Sequence, residues 1–285
     1  MDFQSILQYL KRKRNEILLH DGVATTSSFF NYVHTKRRDL DEALPHLEVV
    51  AVGSSLADYG FYSPSWANSY NFGLTSGDLF VALKQYEKLL RQAPKLKVVL
   101  LYVGVFMPGF NLGCTSERNR CILYKHFFGI PYNEVNKLEV SADKYVVKKM
   151  NESKIQFSDS LQGYVYDKSY LSKVDVIERV KKLLQENRRL PDQMGYFRRL
   201  KERVESDGND FYLIIPPVRS DYRDALEEIT PRDLFEGFRS SMSEYRIFDF
   251  YEDKEFIECD FGDCDHMSKS GAQKLTAKIY SKITT

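Results

Sequence analysis

Four short runs of almost uninterrupted β-branched and apolar residues limit what this chain can become. Leu47-Glu48-Val49-Val50-Ala51-Val52 stops at Gly53, and Lys97-Val98-Val99-Leu100-Leu101-Tyr102-Val103 follows a helical stretch that ends at Pro94. Phe211-Tyr212-Leu213-Ile214-Ile215 runs into Pro216-Pro217, and Tyr245-Arg246-Ile247-Phe248-Asp249-Phe250 precedes an acidic loop. A strand with one wet face alternates apolar and polar residues; a run without alternation is covered on both faces, as in a parallel sheet. Helical spacing fills the intervals. It recurs in Leu79, Val81, Ala82, Tyr86, Leu89 and Leu90 after Gly77-Asp78, across Asp224 to Arg239, and in Ala272, Leu275, Ile279 and Ile283 of the last segment, Ser268 to Ile283. Strands alternating with helices predict an α/β class, a three-layer α/β/α sandwich with a mostly parallel central sheet.

The rest of the chain is organised around that sheet. Residues 1–45 read as polar and helical: Ile6, Leu7, Leu10, Ile17 and Leu18 mark one amphipathic helix, and a second runs from Ser27 to Leu44. A Tyr-, Ser- and Asn-rich stretch between Gly53 and Gly77 reads as a loop. Residues 108–208 are rich in Tyr, Phe, Lys and Arg and carry no strong strand run. They read as a helical insertion over the carboxyl ends of the strands, where open α/β sheets place ligands. The 285 residues thus form one domain, 1–285, with these two additions.

Charge narrows the partners. The 41 Lys and Arg against 40 Asp and Glu leave +1, so nothing global recruits nucleic acid or an anionic membrane. The basic runs Lys11-Arg12-Lys13-Arg14 and Lys36-Arg37-Arg38 suit solvated helix faces, with a membrane surface or an anionic glycan as the other reading. The first residues lack the order of a secretory signal. The longest apolar stretch, Leu96 to Met107, falls short of the roughly 20 residues that span a bilayer. The expectation is a cytoplasmic chain, with peripheral membrane or biosynthetic-complex association left open. Its cysteines, Cys114, Cys121, Cys259 and Cys264, are then expected as free thiols. Cys259 and Cys264 with His266 resemble part of a zinc set, but no second ligand pair stands at finger spacing, so no metal is expected.

Three blocks carry residue types suited to acyl chemistry. In Val50-Ala51-Val52-Gly53-Ser54-Ser55-Leu56 a buried strand ends in a glycine and two hydroxyls; the same pattern also makes an ordinary turn or N-cap. In Asp263-Cys264-Asp265-His266, an Asp three residues before a His can hold Nδ1–H and leave Nε2 as a base; a capping His in an acidic loop is the alternative. A serine attacks an acyl carbon at useful rates only with such a base, and both blocks follow strands of one sheet. His20, His34, His46 and His126 have no comparable carboxylate pattern and read as surface or packing residues. The third block, Asn71 through Asp78, has glycines at a helix start, where N–H groups can line an oxyanion hole or simply cap the helix.

Together the three blocks resemble the SGNH (GDSL-like) hydrolase superfamily, whose sheet is flavodoxin-like. Gly53-Ser54-Ser55-Leu56 is similar to its Gly-Asp-Ser-Leu block, with Ser in place of Asp. The alignment puts the nucleophile at Ser55, with Ser54 as the competing hydroxyl. Asn71 through Gly77 resembles the Asn-x-Gly block, one residue longer, so Gly73 and Gly77 compete as oxyanion donors beside the Ser55 N–H. Asp263 and His266, followed by Gly271-Ala272, resemble the last block most closely. One block departs: where the family has Gly-x-Asn-Asp, this chain reads Tyr102-Val103-Gly104-Val105-Phe106-Met107, with Asn111 off register. Losing one oxyanion donor costs roughly a hundred- to a thousandfold in turnover.

The resemblance implies a catalytic set of Ser55, His266 and Asp263 that needs no cofactor. Asn71 and Arg219 of Pro216-Pro217-Val218-Arg219 are candidate substrate contacts. Gly-Ser-Ser variants with helical insertions resemble bacterial esterases and O-acetyltransferases of cell-surface polysaccharides. The implied substrate is a carbohydrate O-acyl (acetyl) ester, with an acyl donor if the enzyme is a transferase. Tyr124, Phe127, Phe128, Tyr132, Tyr164 and Tyr166 could form a glycan-stacking wall or plain core. Two rival readings remain: an inactive relative that binds glycan or scaffolds polysaccharide biosynthesis, and an anion binder at Gly53-Ser54-Ser55 and the Gly77 helix start. The chain lacks the phosphate-loop and dinucleotide patterns that the last would use.

Overall fold

The computed structural model describes residues 5–7, 9–10, 27–115, 117–118, 120–131, 176–187, 192–229 and 232–285. The basic run at 11–14, Ile17, Leu18, His20, Tyr132, Tyr164 and Tyr166 lie outside these residues. Two compact units emerge: residues 1–39 with 112–161, and residues 40–111 with 162–285. The stretch 108–208 is divided between them.

The larger unit is built on five parallel strands, β1 (Val49–Gly53), β2 (Ser69–Asn71), β3 (Val98–Tyr102), β4 (Asp210–Ile215) and β5 (Ile247–Asp249). Their order in the sheet is β2-β1-β3-β4-β5. This is the doubly wound order whose direction reverses between β1 and β3, the switch point where such sheets open a crevice at their carboxyl ends. Register fixes what meets there: Gly53 pairs with Tyr102, so β1 and β3 end side by side.

Layering follows from the two-residue period of strands. One face carries Val49, Ala51, Leu100, Tyr102 and Ile214, which pack with Ala57, Ala272, Leu275 and Ile279. Those residues come from α2 (Ser55–Gly60) and α9 (Lys269–Thr284), once α1 is taken as Ser27–Ala43. Against the sheet's other face, α3 (Leu79–Leu89) packs on β1 and on α6 (Asp192–Ser206), and α6 packs on β4 through Phe197 and Phe211, ring centroids 6.2 Å apart. The expected three-layer α/β/α sandwich is therefore what the chain forms. After α4 (Arg120–Phe128), helix α5 (Val176–Glu186) packs on α7 (Ser220–Ile229).

Two expectations need correction. The stretch between Gly53 and Gly77 holds β2, an edge strand of three residues whose pairing with β1 comes from backbone groups rather than from an apolar run. The helix expected over Asp224 to Arg239 is two helices, α7 and α8 (Arg232–Met242), on either side of the Thr230-Pro231 dipeptide; proline stops a helix at the residue before it. In the smaller unit, Tyr124, Phe127 and Phe128 are buried. Phe127 meets Phe30 edge-on at 5.3 Å and Tyr124 stands 6.4 Å from Phe29, so these three rings are core and not a glycan wall.

Among the described residues, no helix is long and apolar enough to cross a membrane. The start of α9 is sterically fixed: a Cβ on Gly271 would stand 1.9 Å from the Asp260 carbonyl oxygen. That same oxygen accepts the Ser268 N–H at 2.9 Å. Gly271→Ala is expected to force the 257–268 loop off α9 and to lower stability by about 1–3 kcal/mol, the usual scale of overpacking. A urea denaturation curve with an unchanged slope and a lower midpoint checks it.

Candidate active site

β1 ends in a residue only glycine accommodates well. Gly53 has φ +126°, and a Cβ there would lie 3.0 Å from the Tyr102 carbonyl oxygen. The turn it makes is buttressed by Gln85 of α3, a fully buried side chain. Its Oε1 accepts the Gly53 N–H at 3.0 Å and its Nε2 donates to the Phe72 carbonyl at 2.5 Å. Ser54 follows as the N-cap of α2, its Oγ accepting the Leu56 N–H at 3.2 Å. Ser55 is the first residue of that helix and is partly exposed. The two hydroxyls that the sequence left in competition therefore have different employment: one caps the helix, the other faces a base.

That base is His266, whose Nε2 lies 2.8 Å from Ser55 Oγ. Its Nδ1 lies 2.8 Å from Asp263 Oδ2. An ionised carboxylate only accepts, so Nδ1 carries the proton and Nε2 presents its lone pair to the Ser55 hydroxyl. Asp263 is held in turn by backbone: its Oδ1 accepts the N–H groups of Asp265 at 3.0 Å and His266 at 2.7 Å. A narrow hairpin closes this loop, with Phe261 bridged to Met267 and the Gly262 N–H donating to the His266 carbonyl at 2.8 Å. The ring of Tyr59, one helical turn after Ser55, meets the imidazole edge-on at 4.5 Å.

Charge inside the loop follows from burial and neighbours. Burial alone would disfavour the His266 imidazolium, but the carboxylates of Asp263 and Asp265 and the hydrogen bond it donates to Asp263 outweigh it, so its pKa is raised above the ordinary 6.5. Burial works against the Asp263 carboxylate, yet the facing imidazolium, its hydrogen bonds and Arg179 bring its pKa well below the carboxylate range. Burial, then the flanking carboxylates, push the Cys264 thiol up.

Other expected contacts are placed differently. The Asn71 side chain, expected as a substrate contact, is engaged by backbone groups. Its Nδ2 lies 3.0, 2.9 and 2.6 Å from the carbonyls of Ala57, Asp58 and Phe61, and its Oδ1 accepts the Gly73 N–H at 2.9 Å. It is a bracket that ties the end of α2 to β2. Neither glycine presents an open donor: the Gly73 N–H goes to Asn71, and the Gly77 N–H donates to the Leu74 carbonyl at 2.8 Å. By contrast, the Ser55 N–H lies in the first turn of α2, where helical geometry provides no acceptor. The loop after β3 runs alongside, since a Cβ on Gly104 would meet Leu56 Cδ1 at 2.8 Å. Asn111 is buried.

Arg219 donates to both oxygens of Asp221, at 2.8 and 2.7 Å, and its backbone N–H to the Cys264 carbonyl at 3.1 Å. It lines a cavity of about 400 Å³ with Val218, Arg223, Phe256 and Phe261; Ser55 and His266 are not among the lining residues. Sequence reasoning missed Tyr59, Gln85 and Arg179. The last binds Asp265 from α5 and carries no local pattern that would announce it.

The four cysteines are free. Asp263, Cys264 and Asp265 bring ligand atoms within 4.8 Å of one another, but they make a poor cation site. Asp263 is engaged by His266, Asp265 by Arg179, and the Cys264 thiol is held protonated. The zinc set considered from Cys259, Cys264 and His266 meets the same obstacle, because both His266 nitrogens already have partners.

No family model matches the chain, and no curated protein matches it. A solved structure from Streptococcus pneumonia, described as a "putative platelet activating factor", shares 13% identity and a TM-score of 0.45 across 99% of each chain. A likeness so faint carries no functional information, and the site stands on its own geometry.

The Asn71 bracket gives a direct check. Asn71→Ala would leave buried carbonyls and one N–H unmatched at about 1–3 kcal/mol each where water cannot reach. The expected result is a lower unfolding midpoint with no substrate present. A substrate contact would instead change KM and leave the melt alone.

Proposed function

We propose that this chain is a serine acyl-transfer enzyme of the SGNH type, with Ser55 as nucleophile, His266 as general base and acid, and Asp263 as the group that orients it. One observation carries the proposal: the continuous hydrogen-bonded series from Ser55 Oγ through both His266 nitrogens to Asp263, each link 2.8 Å. A serine, a base and an orienting carboxylate in hydrogen-bond reach are what an activated nucleophile requires. The Gly53-Ser54-Ser55-Leu56 and Asp-x-x-His blocks support the SGNH assignment.

The cycle follows from these atoms. Ser55 Oγ attacks the ester carbonyl carbon while its proton passes to Nε2. The tetrahedral oxyanion takes the Ser55 N–H as one donor. The ester C–O bond then breaks, and the leaving oxygen takes the proton back from Nε2. In the second half, water or a sugar hydroxyl gives its proton to Nε2 and attacks the acyl carbon; the acyl C–Oγ bond then breaks and Nε2 returns the proton to Ser55 Oγ. Asp263 stays ionised throughout and holds Nδ1–H. No cofactor enters either half. The preferred substrate class is a carbohydrate O-acyl ester, with water giving an esterase and a sugar hydroxyl an O-acetyltransferase; the resemblance to polysaccharide-modifying enzymes supports it.

A second reading has one specific observation in its favour. The chain has no Asn at the oxyanion block after β3, and the Gly73 and Gly77 N–H groups donate internally. A weak or inactive relative that binds glycan would look this way.

Turnover of p-nitrophenyl acetate separates the two. Ser55→Ala and His266→Ala are expected to lower kcat about 10⁴-fold or more, and Asp263→Asn about 10³–10⁴-fold. Ser54→Ala should keep activity and lose about 1 kcal/mol of stability with its cap. Wild-type protein that turns over no ester would favour the binding reading. Because the base must be neutral and its pKa is raised, kcat/KM should climb with pH through a midpoint above 6.5. The stability sign is opposite: what His266 protonation contributes to folding is present at low pH and is lost as pH rises through that same midpoint.

A further inference from the structure

Beside the base stands a second buried carboxylate that a triad does not require. Asp265 Oδ1 lies 3.4 Å from His266 Nδ1, the nitrogen that Asp263 Oδ2 holds at 2.8 Å. The other oxygen of Asp265 accepts from Arg179 Nη2 at 3.0 Å and Nε at 3.2 Å. Arg179 reaches it from α5, 86 residues earlier in the chain. Both side chains are largely withdrawn from water, 26% and 8% exposed. A lone carboxylate or a lone guanidinium would be strongly disfavoured at that depth, and pairing offsets that cost.

We infer that the Arg179–Asp265 ion pair is a positioning device for His266, holding a second carboxylate against the imidazole edge and setting how much negative charge the base feels. The inference rests on the serine acyl-transfer reading above. Two uncompensated carboxylates beside one buried imidazole would favour its protonated form, and an imidazolium cannot accept the Ser55 proton. Arg179 offsets that excess while its two-nitrogen grip fixes the direction of Asp265.

Among the described residues, the groups around the ring are few. Asp263, Asp265 and the protonated Cys264 belong to its own loop. Ser55 and Tyr59 come from α2, and Arg179 from α5. Beyond them, Tyr222 of α7 acts on the Asp265–Arg179 pair and is kept neutral by burial, while Arg219 acts on Asp263 and is itself bound to Asp221. Asp265 and Arg179 therefore act on the imidazole with opposite sign, and this separates an electrostatic role from mere packing.

The test is an NMR titration of the His266 ring C–H in the full chain, assigned among the five histidines by its loss in His266→Gln. Asp265→Asn is expected to lower the midpoint and Arg179→Gln to raise it, each by about half a pH unit or more. Midpoints equal to wild type, or moving together, would overturn the inference. Should either single variant fail to fold, the neutral double variant Arg179→Gln/Asp265→Asn decides. A midpoint below wild type supports the device, because the nearer carboxylate outweighs the guanidinium, and an unchanged midpoint removes it. The titration needs no substrate. Loss of the hydrolase reading would show instead as a wild-type protein that turns over no ester, whatever its imidazole does.

Discussion

The pairing of β1 with β3 fixes which residues meet at the carboxyl edge of the sheet. Gly53 stands opposite Tyr102, so both strands stop at one edge, where the order of the sheet reverses. A side chain on residue 53 would press on the Tyr102 carbonyl, and the backbone there adopts a φ that disfavours L side chains. The turn is thus sharp enough for α2 to begin at once, with Ser54 as its cap and Ser55 on its first turn. Gln85 and Asn71 then hold the two sides of that turn through backbone groups, which places the hydroxyl by main-chain hydrogen bonds and not by side-chain packing alone.

The Asp263–His266 loop is built on a different principle. It has little apolar content between Phe261 and Met267, and its shape comes from Asp263, whose carboxylate collects two N–H groups and the imidazole. Such a loop is legible in sequence because the hydrogen bonds of the Asp263 carboxylate all lie within three residues. Its docking is a long-range matter. Asp260 meets the first turn of α9 at Gly271, and Arg219 holds the Cys264 carbonyl from the loop after β4.

The same distinction explains how far the sequence could be read. β1, β3 and β4 were visible as unbroken apolar runs, and in β1 and β3 both faces are covered. β2 was not, since Ser69-Tyr70-Asn71 has no run and its strand character comes from β1's backbone. The proline at 231 was the available signal for two helices over the Asp224 to Arg239 stretch, and helical spacing on both sides hid it. Ser55 could be picked out because residue type and strand-end position coincide, and Asp263 with His266 because their spacing sets carboxylate against imidazole. Gly73 and Gly77 could not be ranked, because whether an N–H is open depends on Asn71 and Leu74, and hydrogen bonding leaves no trace in glycine spacing. Arg179 was illegible for the simplest reason: an arginine on an amphipathic helix usually faces water, and only the fold brings it to Asp265.

The central claim is that Ser55, not its neighbour, is the activated hydroxyl. The most direct measurement is to react the wild-type chain with a fluorophosphonate and locate the adduct by peptide mass spectrometry. A single adduct on Ser55, absent after heat denaturation of the protein, is the result this account predicts. An adduct on Ser54, or an unmodified Ser54-Ser55 peptide under conditions that label a known serine hydrolase, would contradict it.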